Sequence, residues 1–94
     1  MRLDISDQKK FNEAVRKDWF KTATYVRLYN LPGVTAVPDL PAATYVRLYN
    51  LPGVTAVPDL PAATDVRLYN LPGVTAVPRI HPRGQLYRNG RVWR

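Results

Sequence analysis

Apolar residues in the middle of the chain fall at Ala43, Val46, Leu48, Leu51, Val54, Val57, Leu60 and Ala63, in steps of 3, 2, 3, 3, 3, 3 and 3. No 3.6-residue period runs through this series, and the stretch from Ala43 to Ala62 also carries three Pro and a Gly. Pro removes a backbone donor and clashes with the preceding turn, so the stretch is not helical. The one step of 2 predicts a short strand over residues 45–49, with Val46 and Leu48 pointing inward and Tyr45, Arg47 and Tyr49 outward. The steps of 3 predict turns and extended segments curling round a narrow core. Leu51-Pro52-Gly53-Val54 fits a type II turn with Pro52 at i+1 and Gly53 at i+2. Residues 57–61, Val-Pro-Asp-Leu-Pro, are held extended by their prolines.

The same 20 residues, ATYVRLYNLPGVTAVPDLPA, stand at 23–42 and again at 43–62. A third copy, ATDVRLYNLPGVTAVPRIHP, follows, and Asp65 is the one change within its first 16 residues. One such unit cannot bury its apolar side alone, whereas several stacked units can. Stacking pairs Val26-Arg27-Leu28 with Val46-Arg47-Leu48 and Val66-Arg67-Leu68, as parallel ladders about 4.8 Å apart. The expected fold is therefore a mainly β repeat solenoid over residues 22–80, with three coils and one short parallel strand per coil.

The pattern V-x-L-x-N-L-P-x-V-x-x-V-P-x-L-P, read from Val46 to Pro61, resembles the leucine-rich repeat. Its 20-residue period and Leu-Pro-x-Leu-Pro-like ending are most similar to the short bacterial class of that family. The resemblance implies that Val46 and Leu48 take the places of the strand leucines, and that Val54, Val57-Pro58 and Leu60-Pro61 form the back side. The register departs at Asn50, which follows Leu48 by two residues where the family places its Asn at three; Leu51 takes that place. The residues alone accommodate another β-solenoid as well.

Each end calls for a cap, since a repeat array exposes apolar surface and open strand edges there. Residues 1–21 are expected to be a helical N-terminal cap, with Ser6 or Asp4 as N-cap, Asp7 in the first turn, and Phe11, Ala14, Val15 and Trp19 on its apolar face. Residues 81–94 contain Asn89-Gly90 between two strand-like arms, the signature of a type I′ hairpin. Tyr87 then opposes Val92 and Leu86 opposes Trp93, forming a C-terminal capping hairpin.

The outward strand positions make three columns: Tyr25-Tyr45-Asp65, Arg27-Arg47-Arg67 and Tyr29-Tyr49-Tyr69. Tyr and Arg combine large contact area with hydrogen bonding and cation–π attraction, which suits a binding face. Stacked arginines repel, and an anion or an acidic partner would relieve them. The bland alternative is that Tyr is simply a good strand residue and that duplication copied one Arg three times. Asn30, Asn50 and Asn70 sit at strand-to-turn junctions, where Asn commonly bonds backbone. Asp39 and Asp59 read as solvated turn residues, and His81 as an exposed or capping loop residue.

Composition removes most catalytic options. The 94 residues include no Cys, one Ser (Ser6) and one His (His81), so disulfides, thiolate metal sites and nucleophile–base pairs are excluded. No Gly-rich phosphate loop is present, no cofactor is implied, and the chain is expected not to be an enzyme. No apolar run approaches a membrane span, and residues 1–10 lack an apolar signal core, so a cytoplasmic protein is expected. The net charge is +7, and residues 79–94 concentrate it, with five Arg and no acid. The leading expectation is a binding module that holds a protein or anionic ligand on the Tyr/Arg face. The first alternative is a small basic nucleic-acid-binding protein acting through Arg83, Arg88, Arg91 and Arg94, with phosphate contacts and aromatic stacking. The second is a truncated or recently expanded repeat product with no dedicated ligand. Oligomeric state is left open by the sequence.

Overall fold

In the computed structural model, which describes residues 1–93, the short step of the apolar pattern becomes a strand in every copy. The elements in chain order are β1 (Arg2–Ile5), α1 (Gln8–Arg16), a 3-10 turn (Trp19–Lys21), β2 (Tyr25–Tyr29), β3 (Tyr45–Tyr49), β4 (Asp65–Tyr69), β5 (Gln85–Arg88) and β6 (Arg91–Val92). They form a mainly β domain with one helix and a single six-stranded sheet in the order β1-β2-β3-β4-β5-β6. The first five strands run parallel and β6 is antiparallel to β5. Val26, Val46 and Val66 are in register, as are Leu28, Leu48 and Leu68.

All eight positions of the step pattern, from Ala43 to Ala63, are buried. They join one continuous core that also holds Leu31, Leu71, Val34 and Val74. Burying one Val or Leu side chain fully is worth roughly 1.5–3 kcal/mol, so this row is the main cohesive element. Thr44 and Thr64 tie each strand entry to the preceding unit: their hydroxyls donate to the carbonyls of Thr24 (3.2 Å) and Thr44 (3.3 Å). Among the described residues, no helix is long and apolar enough to cross a membrane.

Three local expectations need correction. Residues 2–5 are a strand, not the start of a helix. Arg2-Leu3-Asp4-Ile5 alternates polar and apolar, and β1 pairs in parallel with β2 so that Leu3 and Ile5 lie beside Val26 and Leu28. The helix starts later, with Asp7 rather than Ser6 or Asp4 as N-cap; its carboxylate accepts from the Lys9 N–H at 2.9 Å. It buries Phe11 and Ala14 but leaves Val15 exposed. Asp18 adopts a left-handed φ of 58°, which breaks the helical phase and starts the 3-10 turn that buries Phe20. Trp19 therefore does not continue the Phe11 face, although it packs against the core.

The Leu51–Val54 turn is not type II, because Gly53 does not have positive φ. The Val54 N–H still bonds the Leu51 carbonyl at 3.2 Å. Glycine is required there by space: a Cβ on Gly53 would stand 2.9 Å from the Val34 carbonyl oxygen, and one on Gly73 2.6 Å from that of Val54. The left-handed residue is instead the Asn that precedes each turn, with φ of 57°, 54° and 56° at Asn30, Asn50 and Asn70.

The C-terminal hairpin has the expected register. Asn89 and Gly90 have φ of 50° and 81°, Tyr87 opposes Val92, and the Trp93 N–H bonds the Leu86 carbonyl at 2.9 Å. Its first arm does more than turn back: β5 adds a fifth parallel strand, with Leu86 beside Val66.

Candidate functional site: the outer face of the sheet

Strand alternation sends every second side chain of β1 to β5 to the outer face, and in-register pairing lines them up. One row is Arg2-Tyr25-Tyr45-Asp65-Gln85 and the next Asp4-Arg27-Arg47-Arg67-Tyr87. Tyr29, Tyr49 and Tyr69 make the third. The structure thus brings together all nine residues of the expected face and adds Arg2, Asp4, Gln85 and Tyr87. The period-two alternation of residues 2–5 was the signal for the first two. Gln85 and Tyr87 were masked by reading their segment only as a hairpin arm.

The three arginines are chemically alike in sequence and unlike in place. Arg47 is not a free surface cation: its side chain is only 7% exposed. It lies flat over the Tyr45 ring, with the guanidinium carbon 3.6 Å from the centroid, and its Nη1 donates to Asp65 Oδ1 at 2.9 Å. Weaker bonds from Nη1 reach the carbonyls of Val46 (3.3 Å) and Asp65 (3.4 Å). Tyr45 in turn stacks on Tyr25, with centroids 4.5 Å apart, and Arg2 covers Tyr25 at 4.3 Å. The result is a pile of two guanidinium groups and two rings, a packing that removes water from the middle of the face.

Asp65 also receives Arg67 Nε at 3.4 Å, so one carboxylate serves two arginines. At the other end Asp4 Oδ2 stands 3.5 Å from Arg2 and 3.8 Å from Arg27. The arginine column is therefore relieved from within the chain by one carboxylate at each end, without a bound anion. The single change in the third copy, Tyr to Asp at position 65, supplies the counterion that lets Arg47 be buried. Arg27 and Arg67 remain accessible, with side chains 39% and 47% exposed.

Tyr29 and Tyr49 are half-buried and Tyr69 is exposed. Tyr49 and Tyr69 meet edge to face at 5.5 Å, and with Asn50 and Asn70 they line a shallow open cleft. The asparagines bond mainly to one another: Asn50 Nδ2 donates to Asn30 Oδ1 at 2.8 Å and Asn70 Nδ2 to Asn50 Oδ1 at 2.7 Å. The ladder passes to the hairpin, where Asn89 Oδ1 accepts from the Asn70 N–H at 3.0 Å.

The basic tail does not form one surface of free arginines. Arg88 shares the inward parity of Leu68, donates to the Leu71 carbonyl at 3.2 Å, and lies 4.6 Å from the Trp93 ring centroid. It closes the end of the core. Arg83 and Arg91 are exposed, and Arg94 lies outside the described residues. His81 Nδ1 accepts from the Arg83 N–H at 3.1 Å, and Asp59 Oδ1 from the Arg79 N–H at 3.1 Å, so both shape turns. Among the described residues no cluster of three or more His, Asp or Glu is placed to hold a metal ion. Compared with known proteins, the chain matches no family model, no curated protein and no solved structure.

Proposed function

We propose that the chain is a non-enzymatic binding module built as a leucine-rich-repeat-like solenoid, and that it holds a protein or anionic ligand on the outer face of its sheet. The carrying observation is the exposed edge of that face. Tyr29, Tyr49 and Tyr69 run beside the accessible Arg27 and Arg67. Rigid aromatic rings lose little entropy on contact, and the neighbouring guanidinium groups attract a carboxylate. The core of the face is already closed by Arg47 and Asp65, which leaves the Tyr column and its flanking cations as contact groups. The 20-residue strand spacing and the Asn at each strand exit support the leucine-rich-repeat reading; residues 1–21 and 81–94 serve as its ends.

A selection of displayed acidic peptides, followed by NMR shift mapping on the full chain, tests this. Shifts are expected at Tyr49, Tyr69 and Arg67, and the double change Tyr49→Ser with Tyr69→Ser is expected to weaken binding by more than about tenfold. The nucleic-acid reading rests on Arg83 and Arg91, since Arg88 is engaged in closing the core. Tight binding of single-stranded DNA or RNA that falls steeply with salt and shifts Arg83 and Arg91, but not the Tyr column, would replace the protein-ligand reading.

A further inference from the structure

The first strand of the sheet has one partner only. β1 stands at the end of the strand order, beside β2 on one side and nothing on the other. In a parallel ladder the backbone groups of successive residues point to opposite sides. The Met1 carbonyl accepts from the N–H groups of Thr24 and Tyr25 at 2.8 and 3.4 Å, so Met1, Leu3 and Ile5 face β2. The N–H and C=O of Arg2 and Asp4 therefore face outward, an open template for another strand.

The side chains at that edge are self-complementary. Arg2 and Asp4 flank Leu3 symmetrically, both on the outer face of the sheet. If a second β1 approaches antiparallel with Leu3 opposite the partner's Leu3, Arg2 lies opposite the partner's Asp4 and Asp4 opposite the partner's Arg2. These are the residues whose backbone groups point outward, so each such pair exchanges both backbone hydrogen bonds, as a hydrogen-bonded antiparallel pair does. On the inner face Ile5 meets the partner's Met1, apolar on apolar. Asp4 also lacks donors in the single chain. Its Oδ1 has no hydrogen-bond partner, and its Oδ2 has only the long contacts to Arg2 and Arg27, at 3.5 and 3.8 Å. The partner's Arg2 would supply what is missing once the carboxylate turns.

We infer that β1 is a homodimerisation edge, at which two copies of this chain pair antiparallel about Leu3 into one continuous sheet with cross-strand Arg2–Asp4 ion pairs. The two-fold symmetry closes the assembly at two copies, because the same edge is used on both sides. The inference does not depend on the ligand reading of the outer face.

Sedimentation equilibrium of the full chain tests it. A monomer–dimer equilibrium is expected, with nothing larger. Arg2→Pro removes an outward N–H without touching the β1–β2 ladder, and should weaken dimerisation by more than about tenfold through lost hydrogen bonds and ion pairs. Asp4→Arg should also abolish the dimer by setting like charges opposite each other, and adding Arg2→Asp in the same chain should restore it. Both of these variants carry the same new neighbour for Arg27, so the difference between them reports the interface alone. In the wild type, hydrogen exchange at the Arg2 and Asp4 amides should slow as concentration rises, a readout that needs no variant. A monomer at every concentration, a dimer indifferent to Arg2→Pro, or fast exchange of both amides at the highest concentration would overturn the proposal.

Discussion

The two sides of the sheet respond differently to the same repeated sequence. On the inner side, Val26, Val46 and Val66 are equally buried, as are Leu31, Leu51 and Leu71. On the outer side, Arg27, Arg47 and Arg67 stand in identical strand contexts yet are 39%, 7% and 47% exposed. The inner positions contact the neighbouring units at the same place in their own repeat, so identical sequence gives identical surroundings. The outer positions are long polar side chains whose resting place depends on which carboxylate or ring lies one strand away. Asp4 and Asp65 sit in different rows of the face, and Asp65 alone comes within hydrogen-bond distance of Arg47.

The largest effect is expected on the inner side. Val46→Asp places an unpaired charge among wholly buried residues, and should cost about 4 kcal/mol or more, read as a lost or much lowered urea midpoint. If its midpoint matched that of Arg27→Asp, the in/out assignment of the strand would be wrong.

Next in size are two tests of the outer side. Asp65→Asn removes the charge that balances the buried Arg47 and should cost roughly 2 kcal/mol, since removing one partner of a largely buried pair strands the other. Arg27→Ala takes away an exposed cation with only a long contact to Asp4, and should change stability by less than about 0.5 kcal/mol. Equal losses for the two would show that the copies are equivalent after all.

The turn glycines allow the same comparison on the backbone. Gly73→Ala drives a Cβ to 2.6 Å from a backbone carbonyl and should cost about 1–3 kcal/mol. Gly33→Ala meets only the Gln8 side-chain end at 2.9 Å, which can swing away, so its melting temperature should stay close to wild type.

The smallest effect concerns one apolar position in two units. Val57 is 8% exposed and Val77 45%, because the chain after Val77 no longer covers it as the third unit covers Val57. Val57→Lys should lower stability by roughly 1.5–3 kcal/mol, whereas Val77→Lys should stay within about 0.5 kcal/mol. Thermal melts of the two single variants decide it.

Much of the architecture was legible without coordinates. The steps between apolar residues located the strands and their inward side chains. The repeat length set the register of β2 to β4, and Asn89-Gly90 marked the hairpin. Each of these signals is local or strictly periodic, so chain connectivity carries it. The strand at Arg2–Ile5 was equally present as an alternation, but the strong helical pattern beginning at Gln8 obscured it. A four-residue strand becomes stable only when β2 lies alongside.

The sequence by itself determined which side chains form the core, because the 20-residue period brings each apolar residue back to its own equivalent. Only the tertiary structure decided what the outer residues do. The glycine of each turn is needed for the carbonyl of the preceding unit, not for its own φ, and the left-handed turn residue is the Asn. Asp65, at a position two units give to Tyr, turns Arg47 from a surface charge into a packed one. Those outcomes depend on distances between strands 20 residues apart, where a carboxylate 2.9 Å from a guanidinium and one 3.8 Å away have different consequences.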